Sequence, residues 1–176
     1  VAMASFTLED MFIKQLTDHV SEGQVLIMLG VGSGSLFALV CLKRRINPFM
    51  PAAWRPAAVL RFVTESIGAV FFVASLARLD LSMVASVFQA LPLAVTMGAA
   101  LIFREKVGWR RWSAIIAGFL GVLLIIRPGL DGFEPASVLV LITVVAIAAR
   151  DLATRRIADE VPSVLVSLQA FLSLIP

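Results

Sequence analysis

The chain has 176 residues, 60% of them hydrophobic and 15% charged, with a mean hydropathy of +0.96. A water-soluble domain carries about 45–50% apolar and about 25% charged residues, so the composition excludes that class and predicts a polytopic α-helical membrane protein. The scattered net charge of +3 gives no basis for a nucleic-acid partner, and the single cysteine, Cys41, excludes an intrachain disulfide.

The opening residues lack the basic n-region of a signal peptide. Residues 1–17 read as the end of a first helix, polar for a span because of Glu9, Asp10 and Lys14. Residues 24–42 form a second span rich in small residues. Its Gly30 and Gly34 make a close-packing face, either internal or a homodimer seam, and internal packing is the favoured reading. A loop follows with Lys43, Arg44, Arg45 and Arg55, several prolines and no acid. Pro56 suits the first turn of a third helix reaching about Leu79. Residues 82–103 and 109–126 are two apolar runs of about 20 residues, the length that crosses a hydrocarbon core of about 30 Å. Only helices satisfy their own backbone in lipid, so the two runs make a membrane hairpin around the turn Arg104-Glu105-Lys106-Val107-Gly108. Arg127-Pro128-Gly129-Leu130-Asp131-Gly132 is a breaker cluster. A sixth span covers about 135–152, and a seventh starts at Val161. The chain opens at Val1 in apolar sequence and stops at Pro176 inside another apolar run. We read it as a piece of a longer protein with both terminal helices incomplete.

Charge sorts by loop. The loops after the second, fourth and sixth spans, with the adjoining helix ends, hold twelve of the 15 basic residues. The other loops hold Lys14, Arg78 and Arg127 beside several acids. The uneven split assigns the first set to the cytoplasm, and Trp54, Trp109 and Trp112 fall at the same interface. Overlaying the first helix on the sixth places Asp10 on Asp151, Lys14 on Arg155 and Val20 on Val161. Five spans separate the copies, and an odd number inverts the second, an architecture common in secondary transporters.

Three features together resemble a known family. They are the small-residue helix with Leu91-Pro92 at its middle, the basic and acidic turn at Arg104–Gly108, and the run Gly118-Phe119-Leu120-Gly121-Val122-Leu123-Leu124-Ile125-Ile126. The chain is similar to the EamA-type repeat of the drug/metabolite transporter superfamily. The resemblance implies two inverted five-helix repeats, with residues 1–128 as the first and 129–176 as the start of the second. It also implies carriage of a small organic metabolite across a bacterial-type inner membrane.

Glu65 is the most informative residue. It lies one-third of the way into the third span, where an ionisable group marks a pathway or pairs with a neighbour. Arg61, four residues earlier, is the partner in reach. Arg61, Glu65, Gly68, Phe72 and Ser75 share a narrow helical face that should line a cavity. In the fourth span Ser82, Ser86, Gln89 and Thr96 form a second polar stripe, and Pro92 at mid-depth should kink the helix and free the carbonyl of Phe88. Interrupted helices near the midplane point to a transporter's binding site. Glu65, Phe72, Ser86, Gln89, Pro92 and Thr96 are therefore the expected substrate contacts. Arg61, Glu65, Asp10 and Asp151 are the expected coupling or pairing charges. Arg150 and Asp151 read as cavity-mouth or headgroup residues, Glu105 as a loop contact, and Ala114, Ala117, Gly118 and Gly121 as helix packing. Phe72 and Phe88 suit a flat-ringed, vitamin-like or nucleoside-like solute. His19 is the sole histidine, so no metal site, nucleophilic triad or cofactor is expected. A membrane-embedded enzyme and a non-transporting helical scaffold are the alternatives. The first needs an interfacial cluster of His, Asp or Glu, and the second leaves Glu65 and Gln89 without purpose.

Overall fold

A computed structural model describes residues 2–127, 129, 133–157 and 161–175, with only the backbone for residues 2–6. Pro128, Leu130, Asp131 and Gly132 of the breaker cluster, Asp159 beside the sixth span, and the end residues Val1 and Pro176 lie outside the described residues. All regular structure among the described residues is helical. The helices are α1 (Ala2–Thr17), α2 (Glu22–Lys43), α3 (Pro56–Arg78), α4 (Leu81–Phe88), α5 (Leu91–Ile102), α6 (Trp109–Ile126), α7 (Ser137–Thr154) and α8 (Ser163–Leu172). A 3₁₀ turn at Pro51–Trp54 links α2 to α3.

Among the described residues, five segments are long and apolar enough to cross a membrane: α2, α3, the combined α4–α5 segment Leu81–Ile102, α6 and α7. The two outer elements of the expected seven are shorter, α1 at 16 residues and α8 at 10. The outward faces of α2 and α6 carry large apolar side chains, such as Leu36, Leu42 and Leu124, which are matched to lipid and not to water.

Local sequence sets the helix ends. Ser21 and Gln24 form a capping box at α2: the Gln24 amide donates to Ser21 Oγ at 3.4 Å, and the Ser21 amide donates to Gln24 Oε1 at 3.1 Å. Pro56 opens α3 at its first turn, where its missing N–H has no helical acceptor anyway. Pro92 acts differently from expectation. It does not kink one continuous helix; the helix ends at Phe88, and Pro92 sits in the first turn of a new one. The backbone tightens there, with Ala90 N–H donating to the Val87 carbonyl at 3.0 Å. The proline ring is thus placed where a helix start tolerates it. Three helices end with a non-glycine residue in the left-handed region: Arg45 after α2 (φ 52°), Arg104 after α5 (φ 54°) and Arg127 after α6 (φ 50°).

The core is organised around α7, which packs along α3, then against α5 and α4. Of its apolar stretch 44% is buried, against 17% for α6, so α7 is the interior helix and α6 the peripheral one. Small residues permit the α3–α7 approach: a Cβ at Gly68 would lie 3.0 Å from Ile147. Gly30 and Gly34 do the same for α2 against α8. A Cβ at Gly30 would lie 2.8 Å from Ile175 and 2.9 Å from the Phe171 carbonyl, so this glycine face is internal packing. In α6 only part of the expected packing face is used. Gly118 meets Leu93 of α5, whereas Gly121 faces open space and Ala114 and Ala117 are exposed.

Ion pairs and ring contacts tie the two ends of the bundle. At one end Arg78 meets Glu22 at 2.6 Å, and Lys14 Nζ donates to the carbonyls of Leu76 (2.7 Å) and Leu79 (3.0 Å) at the close of α3. At the other, Glu105 meets Arg155 at 3.1 Å, and the Arg156 guanidinium lies over the Phe103 ring at 4.9 Å. Glu105 is therefore a contact between loops.

Candidate functional site

The seam between α3 and α7 holds four charges. Glu65 lies nine residues into α3, about 14 Å from its start at about 1.5 Å per residue, well inside the span. Arg61, one turn earlier, places Nη2 3.4 Å from Glu65 Oε2, the pair that the spacing predicts. A second partner comes from α7: Arg150 Nη1 donates to Glu65 Oε1 at 3.0 Å. Arg150 also grips Asp151 Oδ1 with Nε at 3.0 Å and Nη2 at 2.8 Å. Arg61 is held from other directions, since its Nε donates to Thr154 Oγ1 at 3.1 Å and its Nη1 to the Val166 carbonyl of α8 at 3.4 Å. Thr154 Oγ1 in turn donates to the Arg150 carbonyl at 2.8 Å. Two cations and two anions thus form one neutral chain, Asp151–Arg150–Glu65–Arg61, which crosses from α7 to α3. Pairing of this kind is what a low-dielectric setting demands of ionised groups. One atom is left over: Glu65 Oε2 is buried and has no hydrogen bond among the described residues.

The rest of that α3 face is covered by its neighbours and does not line an open cavity. Gly68 meets Ala146 and Ile147 of α7, and Ser75 is fully buried, its hydroxyl donating to the Phe72 carbonyl at 2.7 Å. The Phe72 ring packs on Phe88 with centroids 5.4 Å apart. Arg150 supplies what Glu65 needs and small residues let the backbones approach, so α7 closes over the face.

The second stripe is dispersed. Ser86 Oγ donates to the Ser82 carbonyl and Thr96 Oγ1 to the Pro92 carbonyl, each at 2.7 Å, so both hydroxyls are satisfied within their own segments. Pro92 is exposed. Gln89 is exposed at the α4–α5 break, and its side chain makes no hydrogen bond among the described residues. Thr96 borders an open cavity of about 190 Å³ with Leu93, Arg111, Ala114 and Ile115. That volume is below the roughly 300–1,000 Å³ of pockets that enclose drug-sized ligands. Asp10 lies on α1, one turn before Lys14, in the half of the bundle away from Glu65.

Sequence reading placed Arg150 at a mouth or headgroup and missed it as the hub. It also missed Thr154 and Gln169. Gln169 is buried in α8, and its Nε2 donates to the Ala53 carbonyl at 3.1 Å, pinning the 3₁₀ turn. For Gln169 the available signal was a polar residue in an otherwise apolar helical run.

Comparison with known proteins agrees with this architecture. The EamA-like transporter family matches residues 1–127. The chain is 31% identical over 124 residues to a riboflavin transporter of Rhizobium johnstonii, covering 70% of this chain and 41% of that protein. It is 48% identical over 48 residues to a riboflavin transporter of Vibrio cholerae, covering 27% and 16%. It is 25% identical over 67 residues to an S-adenosylmethionine uptake transporter of Rickettsia prowazekii, covering 38% and 23%. The matched stretches thus span less than half the length of these curated relatives. No solved structure matches the chain.

Proposed function

The chain belongs to the EamA-like transporter family, and from that premise we propose that the whole protein is a secondary carrier of a small organic metabolite. It moves its solute across a bacterial inner membrane by alternating access. The multi-pass helical architecture and the names of the similar proteins support this reading. The observation that carries it is the neutral charge chain at Glu65, well inside the span and bridging α3 to α7. Residues 1–128 are the first repeat and 129–176 the opening of the second, so this chain crosses the boundary between repeats. The solute is flat-ringed, vitamin-like or nucleoside-like, in keeping with riboflavin and S-adenosylmethionine in the names of the similar proteins. Glu65, Phe72, Ser86, Gln89, Pro92 and Thr96 contribute to its path. Gln89 is the main hydrogen-bonding contact, and the Phe72–Phe88 pair is an aromatic wall. Arg61, Glu65 and Asp151 govern coupling, with Asp10 at the opposite mouth. The loops 43–55 and 104–111 are cytoplasmic and Asp131 faces outward.

Uptake of labelled riboflavin, and of a panel of nucleosides and vitamins, into proteoliposomes holding the whole protein tests the activity. Saturable flux of one flat-ringed solute is the expected result, and turnover of a solute without a second compartment would overturn it. Orientation is tested with Asn47→Cys and Asp131→Cys in a Cys41→Ser background. An impermeant thiol reagent added to intact cells should label position 131 alone; label at 47 alone reverses the topology.

A further inference from the structure

We propose that the guanidiniums of Arg61 and Arg150 form a binding site for one oxyanion, a carboxylate or phosphate, and that Glu65 fills this site as an internal stand-in. The site deepens the transport reading and rests on it for its physiological role. Two planar guanidiniums from different helices converge on one carboxylate, the geometry that recognises an oxyanion. The two acids of the chain are held unequally. Asp151 accepts two short bonds from Arg150, whereas Glu65 accepts one, and its Oε2 is buried without a hydrogen bond. A buried acceptor met by an ion pair at 3.4 Å but by no hydrogen bond is a standing cost, so Glu65 is the carboxylate that a better-shaped anion displaces. Arg61 keeps its place when Glu65 leaves, because Thr154 and the Val166 carbonyl hold it independently. Side-chain exposure rises from 15% at Arg61 and 19% at Glu65 to 26% at Arg150 and 38% at Asp151, which gives the direction of entry.

Charge conservation then links the anion to a proton. The cluster is neutral with its four members ionised. The packed helices α4, α5 and α8 contribute no ionisable group, and those of α2, Glu22 and Lys43, lie at its ends. On α1, Lys14 is committed to the far end of α3, with Glu9 and Asp10 in the turn before it. A monoanion entering alone would leave an uncompensated negative charge in the span. If Glu65 takes one proton from solution as it withdraws, the cluster holds Arg61⁺, Arg150⁺, Asp151⁻ and the bound anion, and the sum returns to zero. The only covalent change is the new O–H bond on Glu65.

The test uses the whole protein in phosphatidylcholine nanodiscs and methanesulfonate, an oxyanion whose charge does not vary with pH. Affinity is read from the anion-dependent rise in unfolding midpoint at a series of mildly acidic to mildly alkaline pH values. Wild-type affinity should fall as pH rises, by up to about tenfold per pH unit, because binding takes up one proton. Glu65→Gln should bind at least as tightly as wild type at the highest pH and show no such slope. Glu65→Asp, which retracts the carboxylate while keeping its charge, should bind more tightly than wild type and retain the slope. Arg150→Gln/Asp151→Asn keeps the Arg61–Glu65 pair and should lose binding. Loss of binding in Glu65→Gln and Glu65→Asp, each folded by its anion-free midpoint, would overturn the proposal, as would an unchanged slope in Glu65→Gln. Repeating the titration in phosphatidylglycerol nanodiscs assigns the source: competition supports the site with a lipid headgroup as its anion, and unchanged affinity supports a soluble one. A protein that transports but does not bind methanesulfonate sinks the site and spares the transport reading. One that binds without transporting does the reverse.

Discussion

The α3–α7 seam and the α4–α5 segment both set polar groups inside apolar spans, and they treat them in opposite ways. In the seam each charge has a partner, on another helix, one turn away or, for Asp151, next in the chain, and small residues such as Gly68 bring the backbones together around them. In α4–α5 the hydroxyls bond back to their own segment and Gln89 is left exposed beside a helix break. The difference follows from the cost of burial. An ionised group in low dielectric must be matched when the protein folds, whereas a neutral amide can wait at a surface for a solute. The seam buries matched charge, and the break leaves a neutral amide exposed.

The strongest way to break this comparison is Arg150→Met. It strands Glu65 and Asp151 with Arg61 alone, and should lower stability by about 3–5 kcal/mol in detergent unfolding. A loss below about 1 kcal/mol would make the cluster equivalent to an exposed surface pair. Close approach is tested next. A Cβ at Gly30 would lie 2.9 Å from the Phe171 backbone carbonyl, so Gly30→Ala should cost about 1–3 kcal/mol. Gly121, with nothing within 4 Å, should gain about 0.5–1 kcal/mol on the same change. The pair itself is sharpened by a double-mutant cycle. Arg61→Met and Glu65→Met should each destabilise, and the double variant should recover about 0.5–3 kcal/mol of their sum. A double variant that folds and transports at the wild-type rate would remove both residues from the mechanism. The smallest stability effect belongs to Gln89→Leu, within about 0.5 kcal/mol of wild type, with solute flux lost. Unfolding by Gln89→Leu would erase the distinction between the regions.

Element positions were legible because lipid imposes length and apolarity together. The run 109–126 emerges with the expected limits, and α3 begins at Pro56 as its proline dictates. Contacts between nearby residues were legible too: the four-residue spacing gives Arg61–Glu65. The third member was not, since 85 residues separate Glu65 from Arg150 and no local rule brings α7 onto α3. The echo between Asp10 and Asp151 compares repeats and says nothing about which helices touch. Pro92 shows a similar limit. The sequence marks an interruption, but whether a helix bends or restarts depends on the tightening at Ala90, a matter of backbone geometry set by the surrounding packing.

The left-handed arginines have a consequence for biogenesis. Glycine at position 45 or 104 would relieve a backbone penalty of about 1 kcal/mol in the folded protein. With those loops on the cytoplasmic side, the same replacement would remove cations that retain the hairpins there during insertion. Arg127 has the same backbone conformation at the opposite end of its helix, where a cation opposes translocation. Glycine there would favour both the finished fold and the route to it. A screen that scored only thermostability would rank the three replacements alike, whereas the insertion machinery would accept one and be misled by two.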